Sequence, residues 1–194
     1  MCVIFSSKSY LLEVMASCRV CQLDPKNHNF IHFGTTVNGI ALYYTNPAKS
    51  KELIDTPEKF VFFKTHLDEA KGKGKWIWVF DCAGMRTEHF TSYQFTKSLM
   101  QELSNEQMES VQGMWIIHPN TWMRASIAFV KPLFKSELVQ KIRVFENKRE
   151  ALMLDLQKAG FTAPAAEWLA KETVLLPLPV KEGTIVKEKK KSVF

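Results

Sequence analysis

The chain has 194 residues, 46% of them hydrophobic and 24% charged, with a net charge of +6 and a pI of about 9.1. That length and apolar share fit one globular domain with a full core and short tails. The charge excess is moderate and comes with no RNP-like aromatic strand and no full-length zinc-finger spacing, which argues against nucleic acid as a partner, and the longest apolar runs, such as 76–80 WIWVF, are far too short to span a bilayer.

Residues 7–22, SKSYLLEVMASCRVCQ, predict a weak helix, and no basic start followed by a long apolar run marks a secretory signal there. Residues 23–34 are polar, with Asp24-Pro25 and Gly34 as breakers, and Asn38-Gly39 is a tight-turn signal. Ile40 to Tyr44 predicts a strand. Thr56-Pro57-Glu58 opens a helix with proline at its first position, and Phe60, Phe63, Leu67 and Ala70 recur on one face of it to about Lys71. Trp76 to Phe80 is a continuous apolar run that reads as a central strand covered on both faces, ended by Asp81-Cys82-Ala83-Gly84.

Helices are predicted over 90–103 and 105–112, then a buried strand over 113–118 closed by Pro119. Residues 120–131, NTWMRASIAFVK, predict a helix capped by Asn120, apolar on more than one face and ended or kinked by Pro132. A short helical turn at 136–141, a last strand at 142–145, and a helix from about Asn147 to Lys158 closed by Gly160 complete the series. Residues 163–194 read as less ordered, with LLPLPV at 175–180 broken by two prolines and a basic run at Lys187, Lys189, Lys190 and Lys191. The order β-α-β-α-α-β-α-β-α predicts an α/β fold with a mostly parallel sheet and right-handed crossovers.

Three blocks then carry a family resemblance: WIWVFDCAGM at 76–85, MWIIHPNTW at 114–122, and FVKPLFKSELVQKIRVF at 129–145. In these blocks and their spacing the chain resembles the CRAL-TRIO family of lipid-binding domains, over roughly residues 38–160. The resemblance implies a sheet forming the floor of an apolar cavity, with residues 120–135 as a mobile gate helix. It divides the chain into a short N-terminal helical segment (1–35), a lipid-binding domain (36–165) and an extension with a basic tail (166–194). It implies binding, transfer or sensing of one lipid or other small hydrophobic molecule, with transient contact at a membrane surface. Tyr43, Tyr93, Trp115, Ile117, Trp122, Ile127, Phe129 and Lys141 are the ligand-binding candidates. Phosphoinositide-binding members pair a lysine before the last strand with a glutamate; Lys141 holds the first position, whereas the second falls at or near Met108. The roughly 35 residues ahead of the match are fewer than the family's N-terminal helical bundle requires. That shortening and the His118-Pro119 step also resemble the divergent BCH branch, which implies the alternative of a protein-interaction scaffold for small GTPases or their regulators.

Other chemistry is weaker. Asp81 and Gly84 read as turn residues at a strand end. Cys82 and His118 fall at the ends of neighbouring strands, but no third orienting group or nucleophile elbow accompanies them, and no Gly-rich phosphate loop is present, so no catalytic residue and no cofactor are expected. Cys18, Cys21, His28 and His32 form Cys-x2-Cys-x6-His-x3-His, ligands that zinc accepts, yet the gap between the pairs is shorter than the usual finger loop, so no metal is expected. Reduced thiols and the lack of a signal imply a cytoplasmic protein, and the resemblance adds peripheral membrane contact.

Overall fold

The computed structural model describes residues 18, 21, 23–24, 27–50, 57–102, 105–133, 136–145 and 149–173. The helix expected over 7–22, apart from Cys18 and Cys21, lies outside the described residues, as do the LLPLPV stretch and the basic tail.

Five strands form one sheet in the order β1 (Phe30–Thr35), β2 (Ala41–Thr45), β3 (Trp76–Asp81), β4 (Val111–Ile117) and β5 (Ile142–Phe145). β1 is antiparallel to β2, and every later neighbour is parallel. Between the parallel strands run α1 (Pro57–Gly72), then α2 (Tyr93–Glu102) and α3 (Asn105–Ser110), then α4 (Thr121–Val130) and α5 (Ser136–Gln140). Because the strands advance in one direction across the sheet, crossovers of a single hand place all these helices on one face. α6 (Arg149–Lys158) and α7 (Ala163–Thr173) cover the other.

Strand alternation sorts the core accordingly. Leu42, Tyr44, Ile77, Val79, Trp115 and Ile117 pack against Leu152, Leu156, Phe161 and Leu169 of the α6–α7 side. Ala41, Tyr43, Trp76 and Trp78 point the opposite way, toward Leu67 and Ala70 of α1, Leu99 of α2 and Met108 of α3. Leu156 and Leu169 are fully buried, each contributing about 1.5–3 kcal/mol through lost water contact. The two-sided burial of β3 is what its unbroken apolar run requires.

Two expectations need correcting. The polar stretch before the Asn38-Gly39 turn contains strand β1, whose aromatic alternation is hidden by its neighbours. Phe30 stacks on Tyr43 at 5.0 Å on one face, and Phe33 stacks on Trp168 at 4.9 Å on the other. Gly34 reads as a breaker but marks a close approach: a Cβ there would stand 2.9 Å from the Cβ of Ala165. The stretch after 163 is also ordered as far as Thr173, because α7 buries Ala165, Ala166 and Leu169 against the sheet. Gly160, at φ 98°, ends α6 with bonds from Gly160 N to Gln157 O (2.9 Å) and Phe161 N to Leu156 O (3.1 Å). The segment boundary drawn at 35/36 therefore falls at the end of a core strand, and the one at 165/166 falls inside a core helix.

Candidate functional site

The sheet face turned toward α1–α5 is not filled. A cavity of about 670 Å³ lies over it, within the ~300–1,000 Å³ span of small-molecule sites. Trp76, Trp78, Phe80, Met114 and Ile116 form its floor from β3 and β4. Phe63 and Leu67 of α1, Phe95 and Leu99 of α2, and Met123 and Ile127 of α4 form its walls. The lining is mostly apolar; polar residues reach it at several places, Thr45, Ser50 and Lys59 near β2 and α1, and His89, Thr91, Thr96, Gln107 and Ser126 elsewhere. Lys59 is buried, with its Nζ 5.5 Å from the centre of the Phe95 ring. Bonds between α1 and α3, from Gln107 to Asp68 and between Lys71 and Glu106, brace the wall away from the sheet.

α4 is fastened at one end. Asn120 caps it by accepting from Met123 N (2.8 Å) and donates its Nδ2 to Met85 O (2.9 Å). Met123 is buried with Cys82, Met85 and Ile116. Farther along, Ser126 and Ile127 are half-buried over the cavity, while Phe129 is 66% exposed and meets Tyr93 of α2 at 5.4 Å across the rim. Pro132 follows in a 3-10 turn, Lys131–Leu133. A helix apolar on several faces is thus packed at its start and open at its end, where a large aromatic side chain stands in solvent.

The sequence candidates divide. Tyr93, Ile127 and Phe129 line the cavity. Tyr43 faces the same side of the sheet but lies beneath Phe30, outside the lining; burial, then the Glu69 carboxylate, pushes its hydroxyl up to about 12. Trp115 and Ile117 point into the opposite core layer, Trp115 stacked on Phe161 at 5.3 Å, so they do not reach the cavity. The odd–even alternation of β4 settles this: Met114 and Ile116 face the cavity, joined by Val111 at the start of the strand, and none of the three was among the candidates. Lys141 lies outside the lining, donating its Nζ to Met108 O (3.2 Å). The two positions matched to the family's lysine–glutamate pair are therefore neighbours in space, with a methionine side chain on the cavity wall at the second. Trp122 lies on α4, and its side chain is outside the described set. The floor tryptophans and Lys59 were legible as a strand and a helix but not as a lining, since no sequence period tells which face is hollow.

At the C-terminal ends of β2–β4 sits a buried polar knot. Asp81, fully buried, accepts from Tyr44 Oη (2.7 Å), Asn46 Nδ2 (3.2 Å) and Ala83 N (2.9 Å), and meets His118 Nδ1 at 2.9 Å. Burial alone would raise its pKa, but the bonds from His118, Tyr44 and the Ala83 amide outweigh burial and hold it below the usual carboxylate range. The knot therefore extends the turn role expected of Asp81 to His118, which takes a positive φ of 50° to turn its ring inward. Cys82 is buried beside it, and burial, then the Asp81 charge, pushes its thiol up, away from the thiolate that nucleophilic chemistry needs.

Cys18, Cys21 and His28 come together, and their companion is His66 of α1 rather than His32. His32 lies across β1, 5.2 Å from the Tyr43 ring, with burial, then Lys73, lowering its pKa.

Among the described residues no helix is long and apolar enough to cross a membrane. No curated protein gives a significant match to the chain. The crystal structure of Sfh5 is similar at 11% identity with a TM-score of 0.43, covering 86% of this chain and 70% of that one. The model of the CRAL/TRIO domain matches residues 21–158, from Cys21 to the end of α6 and so across every strand and every wall of the cavity. The chain accordingly belongs to the CRAL/TRIO domain family, whose members in general bind lipids or other small hydrophobic molecules rather than catalyse reactions.

Proposed function

We propose that this chain takes one lipid or other small hydrophobic molecule into the cavity over β3 and β4, and carries, transfers or presents it. The observation that carries the reading is the apolar hollow of about 670 Å³ beneath α4. Removing an apolar ligand from water there supplies about 25 cal/mol per Å² buried. Residues 120–135 act as the gate: the Asn120 end stays fixed while the Phe129 end swings, and Phe129 and Tyr93 offer aromatic surface to a membrane interface during exchange. Ile127 contacts the ligand from the gate, and Met114 and Ile116 contact it from the floor. Lys59, which lines the cavity with Thr45 and Ser50, suits the anionic or hydroxylated head of an amphiphile. The functional unit spans β1 to α7, and the basic residues beyond 186 add attraction to anionic lipid heads. A phosphoinositide-type head site at Lys141 is not part of this reading, because its matched partner is Met108.

The scaffold alternative, with a small GTPase or its regulator as partner, foresees a filled or collapsed cavity, and the open hollow favours the carrier reading over it. The test is native mass spectrometry of the purified full chain together with uptake from labelled liposomes. The expected result is a co-purifying hydrophobic molecule at about one per chain and saturable uptake. An empty protein that repeatedly fails to take up any labelled lipid refutes the carrier reading.

A further inference from the structure

Cys18, Cys21, His28 and His66 put one ligand atom each into a space where all four lie within 4.8 Å of one another. His28 Nδ1 stands 3.5 Å from Cys18 Sγ, 3.1 Å from Cys21 Sγ and 3.0 Å from His66 Nε2, and Cys21 Sγ stands 3.3 Å from His66 Nε2. An imidazole nitrogen carries one lone pair or one proton, so a hydrogen bond accounts for one of the three approaches to His28 and not for all of them. A shared centre accounts for all. With metal–sulfur bonds near 2.3 Å and metal–nitrogen bonds near 2.0–2.1 Å, a tetrahedral zinc ion spaces its ligand atoms about 3.3–3.8 Å apart, close to the separations seen.

The surroundings are built for such a centre. Cys18, Cys21 and His66 are all at most 5% exposed. His66 Nδ1 faces the carboxylate of Glu69 at 3.1 Å; a ring nitrogen there holds the proton, which leaves the Nε2 lone pair aimed at the cluster, the usual carboxylate–imidazole–metal arrangement. The turn bearing His28 is tied down by Asn27 N to Asp24 O (3.0 Å), Ser50 Oγ to Asn27 O (2.7 Å) and Asn29 Nδ2 to Asn46 O (2.6 Å). Asn29, at φ 47°, supplies the left-handed step between that turn and β1. Phe62 lies 4.5 Å from the His28 ring and Phe30 5.3 Å from the His66 ring, shielding the centre from water.

We propose that Cys18, Cys21, His28 and His66 bind one Zn²⁺ in a closed tetrahedral site that clamps the segment before β1 onto α1. Two thiolates and two neutral imidazoles give a soft, four-coordinate set suited to zinc, and four protein ligands leave no open position, so the role is structural. Binding displaces the two thiol protons to solvent. The site stands at the β2–α1 end of the cavity, where His28 reaches the lining, and holds α1 against the hollow.

The test is metal analysis of the full chain expressed with zinc, and the absorption of the same chain loaded with Co²⁺. About one zinc per chain is expected, with the intense d–d bands of tetrahedral cobalt and a thiolate charge-transfer band. His66→Ala and Cys21→Ser should lose zinc at least fivefold, whereas His32→Ala, outside the cluster, should keep it. Cys21→His retains four ligands and should keep tetrahedral cobalt with a weaker charge-transfer band, a readout that does not depend on the alanine variant folding. A zinc-free wild type with only octahedral cobalt absorption overturns the site, as does full zinc content in His66→Ala or its loss in His32→Ala.

Discussion

Ser126→Trp places a large ring on the cavity-facing side of α4, one turn after the buried Met123 anchor and beside Ile127. Ser126 is half-buried over the hollow, so the ring points into about 670 Å³ of space rather than into packed core. Overpacking, which costs ~1–3 kcal/mol in a filled interior, is avoided there, and the folded state should hold or gain stability. A tryptophan side chain carries about 150–250 Å² of buriable surface. When half of that displaces ligand contact, the bound molecule loses roughly 75–125 Å² of burial, which at about 25 cal/mol per Å² is about 2–3 kcal/mol. Affinity should therefore fall about 20–150-fold. The assay is equilibrium uptake of a fluorescent lipid from liposomes, with thermal unfolding of the ligand-free protein as control. A variant that unfolds at or above the wild-type temperature, yet binds within threefold of wild type, would show that the ligand does not occupy the space beneath α4.

Phe129→Asp removes an exposed aromatic from the free end of α4 together with its ring contact to Tyr93; thermal stability should fall by about 0.5–1.5 kcal/mol, while transfer between vesicles slows severalfold, by more than equilibrium affinity falls, as stopped-flow transfer kinetics will read. Asn120→Ala deletes both the cap to Met123 N and the bond to Met85 O, so urea unfolding should report a loss of about 1–3 kcal/mol, and ligand exchange should quicken because the fixed end of the gate is loosened. Asp81 has a folded pKa below its unfolded one, so its ionisation stabilises the fold above the ordinary carboxylate pKa of about 3.9 and that contribution is lost as pH falls through the lower folded value. The stability gap between wild type and Asp81→Asn, measured by denaturant unfolding, should be widest near neutral pH and narrow below about pH 4; a gap that grows on acidification would contradict this sign.

The element order was legible in the sequence because local signals agreed with one another. The unbroken apolar run at 76–80 could only be a strand covered twice. Pro57 opened α1, Asn120 capped α4 and Gly160 closed α6, each through backbone chemistry confined to a few residues. The motif blocks at 76–85, 114–122 and 129–145 carried the family, which the match over 21–158 bears out. β1 was not legible, since Gly34 serves a contact with Ala165, more than a hundred residues away.

What sequence determined, then, is which segments from β2 to α6 are strands and helices and in what order they follow, with β1 and α7 at either end escaping it. Tertiary structure decided which side of the sheet is hollow. Trp115 and Ile116 are equally apolar neighbours, yet α6 and α7 fill the space over the first, whereas α1–α5 stand off from the second. It also decided the fourth member of the cysteine–histidine cluster. Spacing along the chain points to His32, four residues after His28, but β1 carries that ring away while α1 brings His66 in from 38 residues on. Local periodicity fixes what a residue does with its nearest neighbours; cavities and clusters depend on elements that meet only once the chain has folded.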